Sequence, residues 1–467
     1  MRARRAAAAL VALVLFLAGC GGGGGSGSTT APGGSARTTA PVTWVALGDI
    51  HFDPFASGSA QVVRKLAAAQ PAQWAAILGA TGGGLGSYGE DTDYPLLAST
   101  LESLGEVDDP QVALVTGDLL AHEFEAEYDR YAKDISKPAY EAFVDKTIAF
   151  LAAQLGAALP RTQFVFILGN NDSYCGDYEV EPHGAFLAHT ERTLKPLVAR
   201  GAGAPGFAAE FPELGSYVAR MPIAGGRFIA LNDVYWSRRY ENACGSGAGK
   251  PGAEEMTWLK SAVEGAPAGG PLWLLMHIPP GIDAYASLHS SEPVALFAPG
   301  FEAGLTRVLG SRGFAAGVAG HLHMSTWRLV PPGPSGKGTP VLGVPSISPI
   351  FANNPAYLVL QVSPKTAGIL DYTAFALDLS VGEGKWVPEY SFDDTYGVEA
   401  FNPAALTQVQ GKLREDPAMR ARWERYYTSG SGRGGIDESN YRAFLCGNLA
   451  LTPPAFATCT SPVTAGS

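Results

Sequence analysis

Histidine and cysteine are both scarce in this chain of 467 residues, which holds eight of the first and five of the second. No two cysteines have Cys-x-x-Cys spacing, which argues against a zinc site built from clustered thiolates. Charge is sparse as well. Only 16% of the residues are Asp, Glu, Lys or Arg, and 44 acidic side chains outnumber 33 basic ones, for a net charge of −11. Nonspecific nucleic-acid binding needs a basic surface, so no such surface is expected. An anionic substrate stays open, because metal ions can supply local positive charge. Internal repeats are absent. Apolar residues nevertheless make up 46% of the chain, enough to bury a large core and to exclude disorder over most of the length.

The only extended apolar run follows Arg2, Arg4 and Arg5 and covers residues 6–18. It is short for a membrane span, and with its basic flank it reads as a signal peptide over residues 1–19. It ends in Leu17-Ala18-Gly19-Cys20, which resembles a bacterial lipobox and implies lipidation at Cys20. Residues 20–41 would then be the lipidated Cys and a Gly/Ser/Thr/Pro tether, with a reach of roughly 25 Å as a flexible coil. The expectation is an exported protein of the cell envelope, anchored by lipid, monomeric, with no further transmembrane helix. The other cysteines are Cys175, Cys244, Cys446 and Cys459. In an oxidising compartment they suggest two disulfides out of three possible connectivities. Cys446–Cys459 would close a short loop, and Cys175–Cys244 would pin the loop after Asn170; free buried thiols are the alternative.

Short apolar runs recur at Val42–Leu47, Val112–Thr116, Gln163–Leu168, Arg227–Leu231, Leu272–Met276 and Phe314–Ala319, with later ones at Val341–Val344 and Tyr357–Val362. Helix-like stretches at 60–78, 124–157, 183–200 and 253–264 lie between several of them. Continuous apolar strands alternating with helices indicate an α/β protein whose sheets are covered by helices. Residues 79–95, Gly-rich with Glu90, Asp91 and Asp93, read as a long loop. The catalytic domain is expected over 42–385. Residues 386–467 read as a small helical subdomain, with helices near 403–428 and 436–447.

Five of the strand ends carry polar residues of one kind. The runs end in Gly48-Asp49-Ile50-His51, Gly117-Asp118 with His122 four residues on, Gly169-Asn170-Asn171-Asp172, His277-Ile278-Pro279-Pro280, and Gly320-His321-Leu322-His323. Ligands of α/β sheets gather beyond the carboxyl ends of strands, and five of the eight histidines lie in these segments. Mixed His and carboxylate donors suit divalent transition metals. Two such ions can activate a bridging hydroxide for in-line attack at phosphorus.

The ordered series D-x-H, GD, GN, H and GHxH resembles the calcineurin-like metallophosphoesterases over roughly residues 43–330. "GDLLAHE", "MHIPPG" and "GHLHMSTWR", with the Cys-containing helical tail, resemble the acid sphingomyelinase branch. The resemblance implies a β-sandwich flanked by helices (αββα) and a helical C-terminal subdomain. It implies Asp49, His51 and His323 on one metal, Asn170, His277 and His321 on the other, and Asp118 bridging. The ions would be zinc, with manganese or iron as alternatives.

One position departs from that pattern. The family has histidine where this chain has Asn171, and asparagine can donate a hydrogen bond to a phosphoryl oxygen but cannot transfer a proton near neutral pH. His122 then becomes the candidate general acid. Asp172 is expected to orient a neighbour, such as the second nitrogen of a ligand histidine. Tyr174 and Tyr178 are candidate substrate contacts. The functional expectation is a hydrolase of phosphodiesters or nucleotide phosphoanhydrides acting on a small molecule. The alternatives are a phosphomonoesterase of the same fold and a binding lipoprotein without turnover.

Overall fold

The computed structural model describes residues 40–241, 250–382, 384–433 and 435–461. The signal segment with Cys20, most of the tether, and Cys244 lie outside the described residues. The described residues group into one compact unit.

The strands, in chain order, are β1 (Val42–Leu47), β2 (Val112–Val115), β3 (Gln163–Phe166), β4 (Tyr217–Arg220), β5 (Arg227–Ala230), β6 (Leu272–Leu275), β7 (Ile282–Asp283), β8 (Val294–Ala295), β9 (Ala316–Ala319), β10 (Thr326–Val330), β11 (Thr339–Gly343), β12 (Ala356–Val362), β13 (Ile369–Leu377) and β14 (Trp386–Ser391). They form two six-stranded mixed sheets, β14-β13-β12-β1-β2-β3 and β10-β11-β9-β6-β5-β4, with β7 and β8 as a separate pair. In the first sheet β1, β2 and β3 run parallel. In the second, β5, β6, β9 and β11 do. Every residue of β2, β3, β6 and β9 is buried, as expected of strands covered on both faces.

The sheets pack face to face. Trp44 of β1 meets Phe228 of β5 at 5.2 Å and Trp273 of β6 at 4.9 Å between ring centroids. The Tyr217 hydroxyl of β4 accepts from the Phe166 amide of β3 at 2.9 Å. Helices flank this sandwich. Trp74, in the helix Trp74–Gly79, packs on Phe143 and Phe150 of the helix Lys137–Ala158. On the other sheet the helix Pro251–Gly265 lies beside Phe301–Arg312.

Proline divides three stretches that read as continuous helices. Pro71 opens a 3₁₀ turn within 60–78, Pro138 starts a second helix within 124–157, and Pro417 does the same within 403–428. A ring that lacks N–H and clashes with the preceding turn fits best in a helix's first turn, although Pro196 and Pro212 sit inside the helices Ala185–Val198 and Phe207–Leu214. Residues 386–391 are not helical but form the edge strand β14, paired antiparallel with β13. The helices that follow are tied to the second sheet: the Ser325 amide donates to Tyr427 O and the Leu329 amide to Asn448 O, both at 3.0 Å. A disulfide joins Cys446 and Cys459. Among the described residues no helix is long and apolar enough to cross a membrane.

Candidate active site

The carboxyl ends of β1, β2, β3, β6 and β9 meet at one place. Short backbone bonds stitch their loops together. Asp49 N donates to Gly117 O at 3.0 Å, His51 N to Asp118 O at 2.9 Å, and Gly320 N to His277 O at 3.0 Å. The crowding explains the glycines. A Cβ on Gly169 would lie 2.1 Å from Asp118 Oδ1, and one on Gly320 would lie 2.7 Å from Asp49 Oδ2. Five polar residues here hold left-handed backbone: Asp49 (φ 49°), His51 (42°), Asp118 (50°), His321 (70°) and His323 (60°). That conformation is uncommon outside glycine, and strain of this kind gathers where side chains must be aimed.

The seven candidate ligands converge around Asp118. Its Oδ2 lies 3.3 Å from both His51 Nε2 and His277 Nε2. His277 Nε2 and His321 Nδ1 each lie 2.9 Å from Asn170 Oδ1. His323 Nε2 is 3.2 Å from His51 Nε2 and 3.6 Å from Asp49 Oδ1. The chain fixes which ring nitrogen faces inward. His51 Nδ1 donates to Leu120 O at 3.0 Å and His277 Nδ1 to Thr116 O at 2.7 Å, so both present Nε2. Asp177 accepts from Asn170 Nδ2 at 2.7 Å, which turns the amide oxygen toward the histidines. Asp233 takes the amides of His277 and Ile278, at 3.0 and 3.1 Å from its two oxygens.

The electrostatics follow from burial. Burial depresses His51 to about 4 and His321 to about 3, so both rings are neutral and available as donors of a lone pair. Burial, reinforced by the charge of Asp118, pushes Asp49 up to about 7. For His277 burial works downward, but the charge and hydrogen bond of Asp118 and the charge of Asp49 prevail and push it up to about 10.

These residues fit divalent cations. Asp49 Oδ2 is fully buried without a hydrogen-bond partner, a costly state for a carboxylate oxygen unless a cation meets it. Two inward-facing Nε2 atoms 3.2 Å apart likewise call for a positive charge between or beside them. Two groups of three donors have ligand atoms within 4.8 Å of one another: Asp49, Asp118 and His277, and His51, His122 and His323.

Around this core the structure places the other candidates differently. Asn171 donates its backbone N–H to Asp118 Oδ1 at 2.7 Å and its side-chain amide to Oδ2 at 3.1 Å. It thus holds the central carboxylate instead of reserving its amide for a phosphoryl oxygen. Asp172 does not reach a histidine ring. Its carboxylate takes the amides of Leu119, Leu120 and Gly169 at 2.8, 3.2 and 2.9 Å, binding the loop after β2 to the loop after β3. Tyr174 is turned away from the cluster. Its hydroxyl donates to Asp145 at 2.5 Å, bonds with His189 Nδ1 at 2.8 Å, and its ring packs on Phe186. Tyr178 stays at the centre, with its hydroxyl 3.4 Å from His321 Nε2 and its ring under the Arg239 guanidinium at 4.4 Å. Cys175 is itself disulfide-bonded.

His122 stacks on His51 with 4.1 Å between ring centroids. Its Nδ1 lies 3.1 Å from both oxygens of Asp91, and its backbone N–H donates to Asp91 at 2.8 Å. Burial alone would lower its pKa, but the hydrogen bond and charge of Asp91, with Asp118 behind, raise it above the ordinary value. From the sequence alone Asp91 is only part of a long loop, Asp177 only part of a loop stretch beside the cleft, and Asp233 has no role. An acidic residue in a Gly-rich loop was the available signal for Asp91; nothing local pointed to the other two. Beside Asn171 lies a cavity of about 390 Å³, walled in part by Glu123, Glu125, Asp129 and Asp177.

A model of the calcineurin-like phosphoesterase family matches residues 43–325. The chain therefore belongs to the calcineurin-like phosphoesterases, and it is a phosphoric ester hydrolase of the dinuclear-metal kind. Among curated proteins it is 24% identical over 399 residues to a sphingomyelinase phosphodiesterase D of Dictyostelium discoideum, covering 79% of this chain and 84% of that one. Among solved structures it is similar to a purple acid phosphatase from yellow lupin (Lupinus luteus), at 11% identity and TM-score 0.39 over 76% of this chain and 54% of that one, so it spans about half of the phosphatase's length. It is also similar to PhoD, at 12% identity and TM-score 0.41 over 77% of this chain and 70% of that one.

Proposed function

We propose that this chain is an exported, lipid-anchored metallophosphoesterase that cleaves phosphodiester or nucleotide phosphoanhydride bonds of small molecules. The observation that carries the reading is the gathering, from five strand ends, of six metal-type donors around a seventh, the carboxylate of Asp118, which His51 and His277 contact directly while Asn170 and His321 adjoin His277. In this assignment Asp49, His51 and His323 would hold one cation, Asn170, His277 and His321 would hold the other, and Asp118 would be shared between them. The cations, zinc in the first instance, would polarise water and offset the charge of the phosphoryl group. The relative in Dictyostelium is by its name a phosphodiesterase, which favours diesters over monoesters. The tether that follows Cys20 would keep the domain close to a membrane without embedding it.

The protein's own groups have separate tasks. Asn171 fixes both oxygens of Asp118, so the bridging carboxylate does not rotate. Asp177 orients Asn170, and the carbonyls of Leu120 and Thr116 orient His51 and His277. His122 supplies the proton for the leaving oxygen. With Nδ1 held by Asp91, its Nε2 carries the mobile proton, and the hydrogen bond and charge of Asp91 raise its pKa above the ordinary value, which favours the protonated ring. A specific observation favours a second role for His122: it is grouped with His51 and His323 within ligand distance of one another. Metal analysis of His122→Ala separates the roles, since an acid leaves the metal content intact and a ligand does not.

The general test uses the purified full chain. Metals are measured by elemental analysis, and bis-p-nitrophenyl phosphate, p-nitrophenyl phosphate and ATP are offered with Zn or Mn. Bound metal with fastest turnover of the diester or of ATP supports the proposal. No bound metal and no hydrolysis of any of the three refutes it.

A further inference from the structure

We infer that Phe351 is a substrate-binding residue that receives an apolar leaving substituent of the phosphate ester, beside the proton donor. The inference rests on the active-site reading above. Phe351 is 54% exposed, although it stands over the reaction centre. Its ring meets His323 edge-on at 4.6 Å and His122 at 6.2 Å between centroids. Of the large apolar side chains left exposed among the described residues, it is the one whose ring contacts candidate site residues.

The exposure is not that of a loose loop. Ser346, Ile347, Ser348 and Asn353 around it are fully buried. The amides of Ser346, Ile347 and Ser348 donate to His323 O, Gly48 O and Asp49 O at 3.2, 3.2 and 3.1 Å. Ser348 Oγ donates to Asp91, the carboxylate that holds His122. Ala352 then turns through a left-handed conformation (φ 63°) that a non-glycine residue adopts at a cost. The chain thus holds an aromatic ring at the mouth of a polar site on a rigid, locally strained support. Exposed aromatic faces in such a place gain by covering an apolar or planar group. Only a few ångströms separate the ring from His122, so the group it meets is the one bonded to the leaving oxygen. The cavity beside Asn171 is lined by Phe124 and Tyr140 as well as by carboxylates, but both rings are buried, no more than 5% exposed.

The test compares full-length wild type, Phe351→Ala and Phe351→Trp, each loaded with metal, on the symmetric diesters diphenyl, dihexyl and diglyceryl phosphate. The ratio of variant to wild-type kcat/KM cancels the intrinsic reactivity of each leaving group. Phe351→Ala is expected to lose about tenfold on the phenyl and hexyl esters, mostly in KM, and less than about twofold on the glycerol ester. Phe351→Trp is expected to retain the wild-type order, and both variants their metal content and thermal midpoint. Equal losses on all three esters, or no loss on any, overturn the inference. A wild-type protein that hydrolyses none of them contradicts the proposed function instead.

Discussion

The buried centre of the site and its rim are built by different means. At the centre, Asp49, His51, Asp118, Asn170, His277 and His323 are each no more than 7% exposed. They sit within a few residues of strand ends, and strained backbone aims five of the site's residues. At the rim, His122 keeps a third of its side chain exposed, and Phe351 and Arg239 project further. These groups are placed by contacts between segments distant in sequence: Asp91 holds His122, Ser348 holds Asp91, and Arg239 lies over Tyr178. The centre is organised to bind cations. On the proposed reading, the rim selects the ester and delivers the proton. Disturbing the centre should abolish metal binding, whereas disturbing the rim should change rates and selectivity while the metals stay.

The largest effect is expected at the centre. Asp118→Asn removes the charge that His51 and His277 share, so metal content and hydrolysis should both fall to background, as read by elemental analysis and a diester assay. Retained metal would show that Asp118 is not the bridge. At the rim, His122→Ala should slow esters with poor leaving groups by about 10²–10⁴-fold and aryl esters far less, with metal content unchanged. Asp91→Asn should be milder, about 10–100-fold, because it acts through the orientation and protonation of His122. Its pH profile gives the sign. Asp91 raises the pKa of His122, and a general acid works only while protonated, so activity falls as pH rises through that pKa. Without the carboxylate, the alkaline limb should move to lower pH. A profile that keeps its limb and only loses amplitude would exclude Asp91 from the proton step.

The smallest effect belongs to the position that departs from the family pattern. Asn171→His restores a titratable ring next to Asp118 and is expected to leave metal content intact and to raise turnover of alkyl esters by a few-fold at most. Loss of metal in this variant would mean that the amide's grip on Asp118 matters more than any proton a histidine could supply.

The same division governs what can be read from the chain without its fold. Asp, Asn or His at the end of an apolar run, after glycine in four of the five segments and after Met276 at His277, is a local signature that reaches the central residues because a strand end aims them directly. Of the partners that tune them, Asp91 leaves only the faint trace of an acidic residue in a Gly-rich loop, and Asp233 leaves none. Asp233 reaches the amide of His277 across 44 residues, and Asp91 reaches His122 across 31. Tyr174 shows the opposite failure. An aromatic in a loop beside the site resembled a substrate contact, yet Asp145 and His189 draw it into the helical layer. The helix breaks, by contrast, fall at Pro71, Pro138 and Pro417, although the helix Ala185–Val198 continues through Pro196, so proline marks a break only in part.

The central claim, that the cluster around Asp118 is a working metal centre, is tested most directly by removing and returning the metal. The purified full chain is treated with a strong chelator, analysed for metals, assayed on bis-p-nitrophenyl phosphate, and then titrated with Zn or Mn. The account predicts that hydrolysis disappears with the metal and returns in step with it, saturating near two ions per chain. Hydrolysis that persists undiminished in the stripped protein would contradict it.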